Sequence, residues 1–389
     1  MGGASLQVKT GPQAVSLVQV NYEYDKSLSD PDELLDRYFT LTGWGQAARR
    51  AGAGRVAVVQ RFHRSARLSR DGIEYVFCNA RVPGLSRAVA GLGPDIAHVN
   101  GLIFPALTWM LRRMLPASTA VVVQNHSDGG AVGRAPFLRV AGRAARTAAD
   151  AFLFAALEHA AAWRRAGLIA RHQPIHQVME ASTTLQPMPR AVARTRCDVR
   201  GAPAVLWVGR LNANKDPLTV LDGFARSLAD LPDAALTMIY SSDELLPSVR
   251  EHVEQSTVLK DRVRLIGRVP HDVIAAYFSA ADLFVLGSHH EGSGYSLMEA
   301  SACGAVPVVT DIPTFRLLTG AAAGALWPVG DAPALARAMV DVARRDLSVE
   351  RARLREHFAR ALSWDAIGRR AVEIYREVLR RRRSIDRHH

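Results

Sequence analysis

Residues Ser288 to Val309 read SHHEGSGYSLMEASACGAVPVV, and the reading of this stretch decides the fold. An apolar run of strand length, Asp282-Leu283-Phe284-Val285-Leu286, leads into it and stops at Gly287. Glu291-Gly292-Ser293-Gly294 then makes a loop. From Tyr295 to Cys303 the pattern turns helical, Gly304 sits where a helix C-terminus favours glycine, and Val306 to Thr310 is a second apolar strand. The order strand, glycine loop, helix, strand is a βαβ unit with a helix N-terminus pointed into the loop. First-turn N–H groups have no intrahelical partner and the helix dipole favours negative charge there, so the loop is suited to an anion. Gly292 and Gly294 let backbone approach a ligand closely. Glu291 and Glu299, eight positions apart, fall on roughly one side of the helix, where carboxylates accept hydrogen bonds from hydroxyls. Amides for phosphate beside carboxylates for hydroxyls suit a sugar nucleotide. A surface Glu and a helix-face Glu beside an ordinary turn would carry the same letters.

The run Glu291-Gly-Ser-Gly-Tyr-Ser-Leu-Met-Glu299-Ala-Ser-Ala-Cys-Gly-Ala-Val-Pro-Val-Val resembles the signature of the retaining glycosyltransferases of family four, the glycosyl transferases group 1. That resemblance implies an α/β chain of two facing Rossmann-like domains, the GT-B fold, with a C-terminal helix crossing back to the first domain. It puts Glu291 at the donor sugar and Glu299 on the nucleotide ribose, with Gly292, Ser293, Gly294, Tyr295 and Ser296 around sugar and diphosphate. The family usually has Phe where this chain has Ser293, a departure that bears on sugar selectivity.

Upstream, Ala204 to Val208 reads as a strand ending at Gly209-Arg210, and Asp216-Pro217 as a helix cap with Pro at the first helical position. The chain has four Lys (Lys9, Lys26, Lys215 and Lys260) among its 49 Lys+Arg, which makes a lysine in this segment noticeable. Gly209-Arg210-Leu-Asn-Ala-Asn-Lys215 matches the family's diphosphate-binding segment. Arg210 and Lys215 would then stabilise charge on the leaving diphosphate in place of a metal ion. Neither metal nor cofactor is expected beyond the nucleotide-diphosphate sugar itself. The resemblance also implies that Arg268 and Val269, in Val263 to Pro270, lie against the base, and that His126, after Gln124-Asn125, faces the reacting sugar. Gly43-Trp44-Gly45 reads as a glycine turn opening a helix at Gln46; the resemblance implies a glycine loop after the first strand, near donor phosphate and acceptor, and assigns that acceptor-side loop to Gly43 and Gly45, although the family's usual Gly-Gly is absent.

Composition bounds the rest. A chain of 389 residues suits two domains: residues 1–190 on the acceptor side, a linker at 191–203, a donor-nucleotide domain at 204–365, and a closing helix with a basic tail at 366–389. Hydrophobic residues make up 48% and charged residues 22%, a globular balance. No apolar run approaches a membrane span, and MGGASLQVKTGPQ lacks the apolar core of a signal peptide, so a cytoplasmic protein is expected. Cys78, Cys197 and Cys303 are widely spaced and suggest neither disulfides nor zinc. Net charge is +12; residues 1–190 hold 22 Lys+Arg against 13 Asp+Glu, a net of +9, and residues 376–389 hold six Arg against two acids, a net of +4. Such a surface is either simply solvated or makes peripheral contact with an anionic membrane. No aromatic-basic module for nucleic acid appears. Oligomeric state is not readable.

Along the chain, strand-like runs at Val15–Val20, Val56–Gln60, Glu74–Cys78, Asp95–Val99, Ala120–Gln124, Ala151–Phe154 and Ile175–Met179 alternate with helical stretches, as in a parallel sheet covered on both faces. Asp30-Pro31-Asp32-Glu33 holds an Asp-x-Asp but reads as a helix start. His98 reads as packing, Arg134 to Thr147 as a basic amphipathic helix, and Arg380 to Arg383 as a frayed, solvated end. The reading is a retaining glycosyltransferase using a UDP- or GDP-sugar and an unidentified acceptor. The alternatives are a sugar-nucleotide epimerase, a phosphorylase with Lys260 as its pyridoxal lysine, or a non-catalytic sugar-nucleotide or membrane-surface binding protein.

Overall fold

The apolar runs become two parallel sheets. A computed structural model describes residues 14–23, 25–79, 82–126, 146–320 and 323–386. Strands β1 (Leu17–Asn21), β2 (Val56–Phe62), β3 (Ala66–Arg70), β4 (Ile73–Asn79), β5 (Ile96–Asn100), β6 (Ala120–Gln124), β7 (Ala151–Phe154) and β8 (Ile175–Gln177) form the first. Their order is β3-β4-β2-β1-β5-β6-β7-β8. Every residue of β1 is buried, Gln19 and Asn21 included, as in a strand covered on both faces. The second sheet contains β9 (Ala204–Gly209), β10 (Ala235–Tyr240), β11 (Val263–Gly267), β12 (Leu283–Leu286), β13 (Val306–Thr310) and β14 (Ala325–Trp327), in the order β11-β10-β9-β12-β13-β14. This is the doubly wound order, and each sheet reverses direction once, between β1 and β5 and between β9 and β12, where crevices open at the strands' carboxyl ends. Antiparallel β3 was not expected from the sequence. Its ARLSR is mostly polar and partly exposed, and only its pairing with β4 makes it a strand.

Asp30 caps the helix Pro31–Arg37 by accepting from Asp32 N at 3.2 Å, with Pro31 at the first helical position, as read. The acceptor-side loop assigned to Gly43 and Gly45 does not exist. Both lie inside the helix Phe39–Arg50 and both are buried. They are there for close approach: a Cβ on Gly43 would stand 2.4 Å from Trp364 Cζ2, and one on Gly45 3.1 Å from Ile73 Cδ1.

Trp364 begins the long helix Trp364–Asp386, which returns to the first lobe and packs on Phe39–Arg50. Trp44 Nε1 donates to the Tyr375 hydroxyl at 3.0 Å, and that hydroxyl lies 2.5 Å from His98 Nδ1. Because an indole nitrogen only donates, the Tyr375 O–H is left to donate to His98. Burial pushes His98 down to about 3, so the ring is neutral, a packing histidine as expected. The tail is not frayed. Arg382 pairs with Asp150, and Arg381 Nη2 donates to the His172 carbonyl at 3.0 Å.

On the same helix pair, a Cβ at Gly368 would stand 2.2 Å from the Ala47 carbonyl oxygen. Gly368→Ala gains up to about 1 kcal/mol of helix propensity, but overpacking against backbone costs about 1–3 kcal/mol. A net loss of stability is expected in urea unfolding; a gain would mean the two helices are not in tight contact.

The linker predicted at 191–203 is likewise mostly structured. Arg190–Cys197 is a helix whose Ala193 and Cys197 pack with Ala276 and Ala280 of the helix His271–Ala280, so it belongs to the second lobe. Buried Asp282 fixes it, pairing with Arg190, with Arg194 Nη2 at 2.9 Å and with Arg351 Nη2 at 2.8 Å. No helix among the described residues is long and apolar enough to cross a membrane. The basic helix read at Arg134–Thr147 falls, up to residue 145, outside the described residues.

Candidate functional site

The loops after β9 and β12 meet at the second sheet's reversal. After β9, Asn212 accepts from Lys215 N at 3.1 Å and shapes the short turn Ala213–Lys215; Asp216, at φ 44°, then caps the helix Pro217–Ser227. Asn214 staples this turn to the loop after β12: its carbonyl accepts from His289 N at 2.8 Å, its Oδ1 from His290 N at 3.1 Å, and its Nδ2 donates to the His290 carbonyl at 3.0 Å. The staple brings Lys215 Nζ onto the Glu291 carboxylate, with the two side chains only 11% and 12% exposed. Thr314 Oγ1 holds the Glu291 carbonyl at 2.7 Å. Gly294, at φ 63°, turns the chain into the helix Tyr295–Cys303, and a Cβ there would stand 2.6 Å from Leu318 Cδ1. A carboxylate, an ammonium and a helix N-terminus therefore face one space.

Arg210, at the end of β9, is exposed and makes no ion pair among the described residues. Arg268 is also exposed and donates from Nη2 to the Ser241 carbonyl at 3.2 Å, beside half-buried Val269. Glu299, half-buried with Ser296 on the helix, lies 3.3 Å from His271 Nε2. Burial raises the Glu299 carboxyl above its usual range, and His271 pulls against that shift. Tyr295 is exposed and meets Phe39 of the first lobe edge-on, with ring centroids 6.4 Å apart.

From the opposite lobe comes His126, beyond the end of β6. Its Nδ1 lies 2.8 Å from Glu180 Oε2 and its Nε2 3.1 Å from Asn100 Oδ1, whose Nδ2 in turn donates to Asn21 Oδ1 at 2.6 Å. Both ring nitrogens thus face acceptors. Desolvation disfavours the imidazolium, yet the charge and hydrogen bond of Glu180 outweigh it, and the His126 pKa lies above its ordinary value. The other oxygen of Glu180 accepts from the Ser293 hydroxyl, so one buried carboxylate ties His126 to the donor-side loop across the lobes. A Cβ on Gly292 would lie 3.1 Å from the His126 carbonyl, which measures how closely the lobes approach. Sequence reasoning missed Glu180 and His271, which belong to no motif, and gave no role to Asn214 inside the Gly209–Lys215 segment. Lys260 is exposed, unlike the deep lysine that a phosphorylase would need. Beside His126, at the carboxyl ends of β1 and β5, the first lobe holds a cavity of about 450 Å³.

Two doubly wound lobes, a cleft between them and a helix returning to the first lobe define the GT-B class. The second lobe matches, over residues 202–345, the family model described as Glycosyl transferases group 1. Among curated proteins it is 30% identical over 209 residues to the D-inositol 3-phosphate glycosyltransferase of Thermobispora bispora, covering 50% of this chain and 48% of that one. It is 29% identical over 188 residues to the phosphatidyl-myo-inositol mannosyltransferase of Mycolicibacterium smegmatis, 46% of each chain. The chain thus spans about half the length of the curated relatives it matches. Sucrose-phosphate synthase from Thermosynechococcus elongatus superposes with a TM-score of 0.68 at 20% identity over 94% of this chain and all of that one, a likeness of fold.

Proposed function

We propose that this protein is a retaining glycosyltransferase that moves a sugar from a UDP- or GDP-sugar to a small acceptor without a metal ion, acting in the cytoplasm. The observation that carries the reading is the Lys215–Glu291 pair at the mouth of the helix Tyr295–Cys303, at the reversal between β9 and β12 and opposite His126. Lys215, the exposed guanidinium of Arg210 and the first-turn amides take the diphosphate. Glu291 orients the sugar hydroxyls, Glu299 the ribose, and Arg268 with Val269 the base. His126, its ring fixed by Glu180 and Asn100, lies against the sugar from the facing lobe. The anomeric carbon–phosphate oxygen bond breaks as the acceptor oxygen bonds to the same face, and the acceptor proton passes to the departing phosphate. Cationic groups fixed where that negative charge develops lower the barrier.

Incubation with UDP-, GDP-, ADP- and TDP-sugars tests the reading. Nucleoside diphosphate should be released from one or two of them, slowly to water and faster with an acceptor. Isomerised sugar nucleotide would make the protein an epimerase, and a raised melting temperature without turnover would make it a binding protein.

A further inference from the structure

We infer that the acceptor is an amine-bearing polyol, recognised as a cation and carrying no phosphate, an inference that rests on the glycosyltransferase reading above. The cavity beside His126 is where an acceptor must sit to reach a sugar held by the opposite loop. Glu23 and Asp25 line it, and no Lys or Arg does so among the described residues. Asp25 is set for charge: Ser27 donates to its Oδ1 from N at 2.9 Å and from Oγ at 2.6 Å, and the Tyr38 hydroxyl donates to Oδ2 at 3.0 Å. His126 is the cavity's cation, but Glu180 already neutralises it and Asn100 occupies its other nitrogen. Arg37 acts on Asp25, and His126 on Glu23, only at a distance, with no ion pair to either carboxylate among the described residues, so an incoming phosphate meets more negative than positive charge and an ammonium meets carboxylates with no bonded cation.

A second observation points to hydroxyls. Asn21 lines the same cavity, is 5% exposed, and its Nδ2 has no partner. A buried amide donor left unpaired is costly, and a ligand oxygen would relieve it. Leu102, Ile103 and Phe104 supply an apolar wall for a ring face. Together these features describe a small ring that carries both hydroxyls and an amine. The amine serves recognition only. A hydroxyl of the same molecule attacks the anomeric carbon, its proton going to the leaving phosphate.

The test uses glucosamine and 2-deoxystreptamine against N-acetylglucosamine, glucose 6-phosphate and myo-inositol 1-phosphate. Binding to the full chain is measured by calorimetry in the presence of the nucleoside diphosphate chosen by the donor panel, and transfer by its release. The amines should bind at least about tenfold more tightly than the N-acetylated or phosphorylated compounds, the scale of one partly solvated charge pair. That preference should shrink in high salt and in Glu23→Gln combined with Asp25→Asn, with donor-dependent melting checking that the variant folds. Equal or tighter binding of the phosphorylated compounds, or a preference untouched by the double variant, overturns the inference. A donor panel that releases nothing overturns the underlying reading instead, so the two failures are distinct.

Discussion

Replacing Glu291 with alanine is expected to lower sugar transfer by about a thousandfold, the upper part of the range for removing one preorganised polar group from a reacting centre. The carboxylate reaches that position because Thr314 grips its carbonyl and Lys215 its side chain, so few rearrangements could substitute for it. A competing effect must be separated. Removing Glu291 leaves Lys215 uncompensated in a site only 11% exposed, and breaking a buried pair costs about 3–5 kcal/mol in a closed interior. Here the pair faces a cleft and the lysine stem can swing outward, so the stability loss belongs at the low end. Glu291→Gln keeps the shape and removes the charge, and it should melt near the parent while losing nearly as much turnover. Nucleoside diphosphate release within tenfold of the parent in both variants would remove Glu291 from the donor sugar.

Lys215→Ala should act on binding first. The ammonium is expected at the diphosphate, so affinity for the free nucleoside diphosphate should fall by about a hundredfold, roughly twice the 1.4 kcal/mol of a tenfold step. Donor KM should rise in parallel, and the residual binding should depend less on salt. Lys215→Arg should not restore it, because a planar fork does not fit where a compact ammonium meets Glu291. Calorimetry with the nucleoside diphosphate decides the matter: unchanged affinity would mean that Lys215 serves only to hold Glu291.

The two predictions divide the site as the sequence does. The run from Glu291 to Val309 and the Gly209–Lys215 segment were legible because each is a local pattern, a strand end, a turn residue and a helix start, and the fold merely brings the two together. Parallel sheets covered on both faces were legible from the alternation of strand-like and helical stretches, but the order of the strands within each sheet was not. What could not be read was long-range. Gly43 and Gly45 imitate a loop in sequence; Trp364, more than three hundred residues away, explains the first as a packing position, and Ile73 the second. Glu180 meets a serine 113 positions downstream and carries no motif. The arginines at the end of the chain looked solvated because Asp150, which anchors Arg382, lies in the other half of the sequence.

The arginine cluster on Asp282 has a mechanical consequence. With Arg190, Arg194 and Arg351 drawn to one carboxylate, the helices Arg190–Cys197 and Leu347–His357 are tied to the start of β12, while the returning helix is held to the first lobe through Trp44, His98 and Asp150. Among the described residues the backbone passes between the lobes twice, through residues 178–189 and the wide turn Phe358–Leu362. Glu180 lies on the first of these passages and meets His126 of one lobe and Ser293 of the other, so a single side chain couples the inter-lobe connection to both halves of the site.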